Sequence, residues 1–106
     1  MYSTTQITDT NEEIVRLNVY DDNGYLPIHR ATISGHETTM KNILDDAQRR
    51  NELTQQLEAI THDIHEFTPL LLATAVGRLE SIACLLTYPV NINAVDANGY
   101  GRIIMN

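Results

Sequence analysis

Cations are scarce in this chain. It has 7 Lys and Arg against 14 Asp and Glu, a formal net charge of −7. Nucleic-acid binding requires clustered cations to neutralise phosphates, and these are scattered, so no nucleic-acid partner is expected. Cysteine is nearly missing too: Cys84 stands alone, which excludes an internal disulfide and fits a reducing compartment. No apolar run approaches the ~18 residues of a membrane span, and no membrane partner is expected. The first residues offer neither an apolar signal core nor an Arg-rich presequence, so the expected compartment is cytoplasm or nucleus. Tryptophan is absent, and only five Tyr and one Phe supply aromatic rings. At 106 residues the chain forms at most one domain with a modest core.

What the chain does contain is a repeat. YLPIHRATISGHETTMKNIL, residues 25–44, and FTPLLLATAVGRLESIACLL, residues 67–86, share one pattern at a spacing of 42. Pro27 aligns with Pro69, Ala31 with Ala73, Gly35 with Gly77 and Leu44 with Leu86. RLNVYDDNGY at 16–25 also matches NINAVDANGY at 91–100, with five identities: Asn18/Asn93, Asp21/Asp96, Asn23/Asn98, Gly24/Gly99 and Tyr25/Tyr100. Gly24 and Gly99 suit turn positions with positive φ.

Each copy predicts two helices. Pro27 and Pro69 suit a first helical position, where a missing N–H costs nothing. Thr68 is an N-cap and Leu26 is not, while Gly35 and Gly77 are left-handed stops. Met40, Ile43 and Leu44, and in the second copy Ile82, Leu85 and Leu86, predict one buried face per second helix. Neither pair can bury its apolar surface alone, so the expectation is stacked units whose product is a surface for binding.

These residues resemble the ankyrin repeat, a unit of ~33 residues with T-P-L-H-x-A, a G-H turn and a second helix. The second unit supplies Thr68-Pro69-Leu70, Ala73, Gly77, Ile82, Leu85-Leu86, Ile92-Asn93-Ala94, Asp96 and Gly99. The first supplies Pro27, Ile28, His29, Ala31, Gly35-His36 and Ile43-Leu44. The resemblance spans roughly residues 16–100 and implies an all-α solenoid of helix-turn-helix units joined by short β-hairpin-like turns. The pattern is also similar to arrays that join ankyrin to armadillo repeats. The implied organisation is a flexible tail at 1–15 and an ankyrin-repeat domain at 16–106. Within it lie unit one (about 24–66), unit two (about 67–98) and a partial third unit (99–106). The chain departs from the pattern at Leu26 (for Thr), Leu71 (for His) and Glu66 (for the turn glycine). Gly101 and Arg102 depart likewise, standing where Thr and Pro belong. Two units are fewer than the three or so a stable stack uses, so the expectation is a piece of a longer array. In the other reading Ile103, Ile104 and Met105 form a degenerate cap.

The 42-residue spacing leaves about nine residues beyond one repeat, a helical insertion near 45–62. It is rich in good helix formers and lacks Gly and Pro. Asp45/Arg49 and Asp46/Arg50 are favourable i, i+4 pairs. Leu53, Leu57 and Ile60 share a face, which serves either as a docking ridge or to fold back on unit two. The second helix of unit one either overruns by two turns or more, or breaks near Asn51 into a hairpin.

No catalytic constellation emerges. His62 and His65 have one helical turn's spacing but lack further converging ligands, so no metal site is expected. The resemblance gives His29 a structural role, bonding backbone between units. Cys84 reads as a buried, inert thiol. Neither a phosphate loop nor a nucleophile elbow is present, and no cofactor or small-molecule substrate is expected.

The resemblance implies binding through hairpin tips and the exposed side of the first helices, with another protein as partner. Carried over by position, the tips are Asp22 and Asn23, Ile64 and His65, and Ala97 and Asn98. The helix positions are Ile33 and Ser34, then Ala75 and Val76. Between tip and helix stand Tyr25, Phe67 and Tyr100, three of the six aromatics at one register. They are either a row of aromatic anchors, rimmed by Asp22, Asp63 and Asp96, or covers for the hairpin roots. The expected function is a non-catalytic interaction module, scaffold or regulator. Other readings are a piece of a larger enzyme or channel, or a small decoy that competes with a longer ankyrin protein.

Overall fold

In a computed structural model, residues 17–100 are described. They form five helices and no strand: α1 Pro27–Ser34, α2 Glu37–Arg49, α3 Leu53–Leu57, α4 Pro69–Val76 and α5 Leu79–Leu85. The expected tail, residues 1–15, and most of the partial third unit, including Ile103, Ile104 and Met105, lie outside the described residues.

The two first helices begin and end alike. Each has eight residues, proline in its first turn and a left-handed glycine stop, φ +74° at both Gly35 and Gly77. Arg78 N–H closes the second stop on Ala73 O at 3.0 Å, as His36 N–H closes the first on Ala31 O at 3.2 Å. Their N-termini differ. Thr68 Oγ1 accepts from Leu71 N–H at 3.3 Å, the expected cap. Leu26 has no acceptor, and instead its own N–H donates to His29 Nδ1 at 2.9 Å.

Helix α1 packs on α2 and α4 packs on α5. The two pairs then join through α1 against α4 and α2 against α5. Ala31 and Ala73 are buried where the helices converge. The shared core holds Leu26, Ile28, Met40, Ile43, Leu44, Leu57, Leu70, Cys84 and Leu85. Its apolar burial is the main favourable term of folding.

Met40, Ile43 and Leu44 are buried as expected, but the face expected for α5 is displaced by one residue. Its buried set is Ser81, Cys84 and Leu85, with Ile82 half-buried and Leu86 47% exposed. The cause is the neighbour. Ser81 turns toward unit one and donates to Thr32 O at 2.6 Å, while Arg78 Nε donates to Ile33 O at 2.7 Å. Unit two thus supplies donors to carbonyls at the end of α1, Thr32 O also accepting from Gly35 N–H at 3.3 Å.

The insertion both overruns and breaks. Helix α2 has 13 residues against 7 in α5. It stops at Arg50, where Asn51 takes φ +59° and Glu52 N–H donates to Ala47 O at 2.7 Å. Asp46 pairs with Arg50 at 3.0 Å and also with Arg49 at 3.3 Å. Asp45 does not take the expected Arg49; it accepts from Tyr88 Oη at 2.9 Å instead, tying α2 to the segment after α5. Helix α3 returns chiefly against α2, while Leu57 shares the core with Leu70 and Leu85 and Glu58 accepts from Asn91 N–H at 3.0 Å. Leu57 joins the core and Leu53 packs half-buried against it, and of the three residues expected to share a face only Ile60 is exposed, so they form no continuous docking ridge. The buried Gln56 amide donates to Asn18 Oδ1 at 2.9 Å.

Candidate functional site

Three turns carry the expected tip residues, and two of them are superposable in their bonding. Asp21 Oδ1 accepts from Asn23 N–H at 2.9 Å and Tyr25 N–H at 3.0 Å. Asp96 Oδ1 accepts from Asn98 and Tyr100 N–H, both at 2.9 Å. Gly24 and Gly99 both take φ +85°. A short acceptor at the first position and glycine at the fourth close the turn on itself.

The middle turn lacks the glycine yet still forms. Glu66 takes φ +53° in its place. Asp63 Oδ1 now accepts from His65 N–H at 3.0 Å, Glu66 N–H at 3.1 Å and the Thr61 hydroxyl at 2.7 Å. Thr61 closes the loop, its N–H donating to Phe67 O and its hydroxyl accepting from Phe67 N–H, both at 2.9 Å. Thr61 is fully buried. Burial would raise the Asp63 pKa, but the three donors outweigh it and hold the carboxyl below its ordinary range.

Neighbouring tips are bonded to one another. His62 N–H donates to Gly24 O at 2.8 Å, and Ala97 N–H to His65 O at 2.8 Å. Asp22, Asn23, Ile64, His65, Ala97 and Asn98 are all exposed along this row, Ile64 at 82%. On the helix side Ser34, Ala75 and Val76 are exposed, whereas Ile33 is half-buried. Of the rim carboxylates only Asp22 is free in geometry. Asp63 and Asp96 are half-buried and committed to their turns.

The three aromatics are not equivalent. Tyr25 is half-buried, with the Arg30 guanidinium 4.7 Å from its ring centroid and His29 tilted against it at 6.1 Å. Phe67 is half-buried and stacks on His65 at 4.9 Å. Tyr100 is 70% exposed. Tyr25 and Phe67 therefore each have one face engaged within the fold, and Tyr100 presents most of its ring to solvent. Arg30 is fixed in turn by Asp21 at 2.7 Å, and that guanidinium lowers the Asp21 pKa. Val19, Tyr20, Asp21, Tyr25, Pro27 and Arg30 line an open groove of about 340 Å³ beside the first tip.

His29 supports the row from beneath. It is buried, and its Nδ1 already accepts from Leu26, so Nε2 carries the proton and donates to Ala59 O at 2.8 Å. Burial, the largest effect, lowers its pKa and favours this neutral form. His62 stacks on Tyr20 at 3.4 Å, and Tyr20 Oη donates to Ile60 O at 2.7 Å. Among the described residues no three His, Cys, Asp or Glu converge as metal ligands. Cys84 is buried, and burial raises its thiol pKa, reinforced by Glu37. No helix among the described residues is long and apolar enough to cross a membrane.

Sequence reading missed Thr61, Arg30, Tyr20, Arg78 and Ser81. Thr61 alone left a signal: it sits six residues before Phe67 in a turn lacking its glycine. The others act across distances that no local pattern encodes. The chain matches no family model and no curated protein.

Proposed function

We propose that this chain is a non-catalytic protein-interaction module of the ankyrin type, acting as scaffold or regulator in cytoplasm or nucleus. The partner is another protein, engaged by the tips Asp22, Asn23, Ile64, His65, Ala97 and Asn98. The aromatics Tyr25, Phe67 and Tyr100 stand behind them, with Ile33, Ser34, Ala75 and Val76 on the helix side. One observation carries the reading: three successive turns are hydrogen-bonded tip to tip, and each is followed by an aromatic ring. Such a row is pre-organised, so little ordering entropy opposes binding. Several of the side chains able to do chemistry are committed elsewhere. His29 uses both ring nitrogens, His62 and His65 lie against aromatic rings, and Cys84 is buried.

The test compares proteins enriched on the immobilised 106-residue chain and on an Ile64→Glu/Tyr100→Ala variant. Both side chains are solvent-facing, so circular dichroism and the melting curve stay as in wild type. A partner lost at least tenfold from the variant supports the row as the site. Retention of every enriched protein by a folded variant contradicts it.

A further inference from the structure

Asparagine precedes glycine at two places, Asn23-Gly24 and Asn98-Gly99. Each pair lies at the same register of its turn, with the asparagine exposed and the glycine at φ +85°. The two turns close alike: Gly24 N–H donates to Asp21 O and Gly99 N–H to Asp96 O, both at 2.9 Å. The local sequences, Asp-Asn-Gly-Tyr and Ala-Asn-Gly-Tyr, differ only in their first residue.

Their surroundings differ much more. Gly24 is buried, its carbonyl accepts from His62 N–H at 2.8 Å, and the His62 carbonyl fills the space where a Cβ would stand. Gly99 is exposed. Among the described residues its carbonyl accepts from none, and open space lies where a Cβ would stand.

That contrast bears on a reaction the asparagine–glycine pair carries within itself. The glycine amide nitrogen, once it has lost its proton to water or hydroxide, attacks Cγ of the preceding asparagine. No side chain on glycine crowds the approach. The new N–Cγ bond closes a succinimide ring, the Cγ–Nδ2 bond breaks, and Nδ2 leaves as ammonia after taking a proton from water. A second water opens the ring, giving aspartate by attack at Cγ or isoaspartate by attack at the backbone carbonyl. In the closed turn the glycine N–H is committed to an aspartate carbonyl, so the reaction proceeds from a locally opened state. Opening at Gly99 breaks bonds of its own turn, and the bond from Ala97 N–H to His65 O lies before it and can persist. Opening at Gly24 also breaks the bond from His62 and unpacks a buried glycine.

We propose that Asn98 is a self-modifying site that converts to aspartate and isoaspartate, and that the stacked His62 protects Asn23 from the same reaction. Isoaspartate reroutes the main chain through the side chain, adding one backbone atom before Gly99 and a carboxylate at the third tip. Tyr100 N–H, held by Asp96 Oδ1 at 2.9 Å, is then carried out of register. The modification site does not depend on whether the tip row binds a partner.

The test incubates the 106-residue chain at mildly alkaline pH, folded and in urea. Peptide mass mapping follows conversion at both asparagines, and chromatography separates isoaspartyl from aspartyl products. In urea the two sites should convert at comparable rates, because their local sequences are nearly the same. In the folded chain the rate relative to urea should be at least tenfold higher at Asn98 than at Asn23. Gly99→Ala should slow conversion at Asn98 at least tenfold and leave Asn23 unchanged. If that variant loses helical content, Asn98→Gln, whose ring needs one more atom, should abolish product at this position. Equal protection of the two sites, or a folded chain that keeps Asn98 intact while the urea sample converts, would overturn the assignment. So would an excess at Asn98 that persists undiminished in urea, because local sequence and not the stack would then set it.

Discussion

Units one and two reach the same helix pair with different parts. Unit one starts α1 with a leucine and recruits a buried histidine ring as the acceptor for its N–H; unit two uses a threonine hydroxyl. Unit one enters through a glycine turn, unit two through Glu66 with Thr61 closing the loop. Unit one carries the Glu37–Lys41 ion pair on α2 and is buttressed by α3, whereas unit two has Leu79 and Ala83 at the matching positions and no helix after α5 among the described residues. The lesson is that prolines, alanines and stop glycines are held in common because they set how helices start, approach and stop. Capping and turn closure each admit more than one chemical solution.

The largest difference between the two turns is expected at their glycines. Gly24 and Gly99 share one φ, but a Cβ at Gly24 would strike the His62 carbonyl, whereas a Cβ at Gly99 meets nothing among the described residues. Gly24→Ala should destabilise by about 2–4 kcal/mol from strain plus overpacking. Gly99→Ala should cost only about 1 kcal/mol. Urea unfolding of the two variants measures the gap; equal losses would remove the contact from the explanation.

The caps come next. His29→Ala leaves Leu26 N–H and Ala59 O without a partner and opens a void, a loss of about 2–4 kcal/mol. Thr68→Ala should cost about 1 kcal/mol. The histidine solution also carries a pH signature. Above the ordinary value of 6.5 the ring is neutral in both folded and unfolded chains. Below it the unfolded chain takes up a proton that the folded ring resists, so stability falls with pH until the depressed folded pKa is passed. Subtracting the stability–pH curve of His29→Ala from that of wild type should isolate this slope between pH 6.5 and that point. A flat difference would mean the ring is not held neutral.

The smallest effect should be a gain. Glu66→Gly relieves a left-handed backbone but adds freedom to the unfolded chain, for a net stabilisation of about 0.5 kcal/mol. Loss of stability would instead show that the Glu66 side chain supports the turn.

Much of the fold was legible because its signals are local. Pro27, Pro69, Gly35 and Gly77 marked the helix ends, whereas for the insertion a break near Asn51 stood beside an overrun of two turns or more, and the local sequence did not choose between them. The buried face of α5 was misread because Ser81 is polar and counts as apolar-facing only once Thr32 O is known to receive it. Asp45 was assigned to Arg49 on helix spacing, whereas Tyr88 reaches it from 43 residues away. At the site, the tip positions came from the ankyrin resemblance, and the structure places all six of those residues at the exposed surface. The unequal aromatics were not legible, since Arg30, His29 and His65 engage Tyr25 and Phe67 through contacts that register alone does not reveal.

The tip row rests on two hydrogen bonds, His62 N–H to Gly24 O and Ala97 N–H to His65 O. Native-state hydrogen exchange at these two amides tests it most directly. The expected result is protection well above that of amides at the exposed tip residues, with His62 opening at a free energy close to that of the α1 core amides. Exchange of both at the rate of an unstructured chain would mean that the tips move independently and form no common surface.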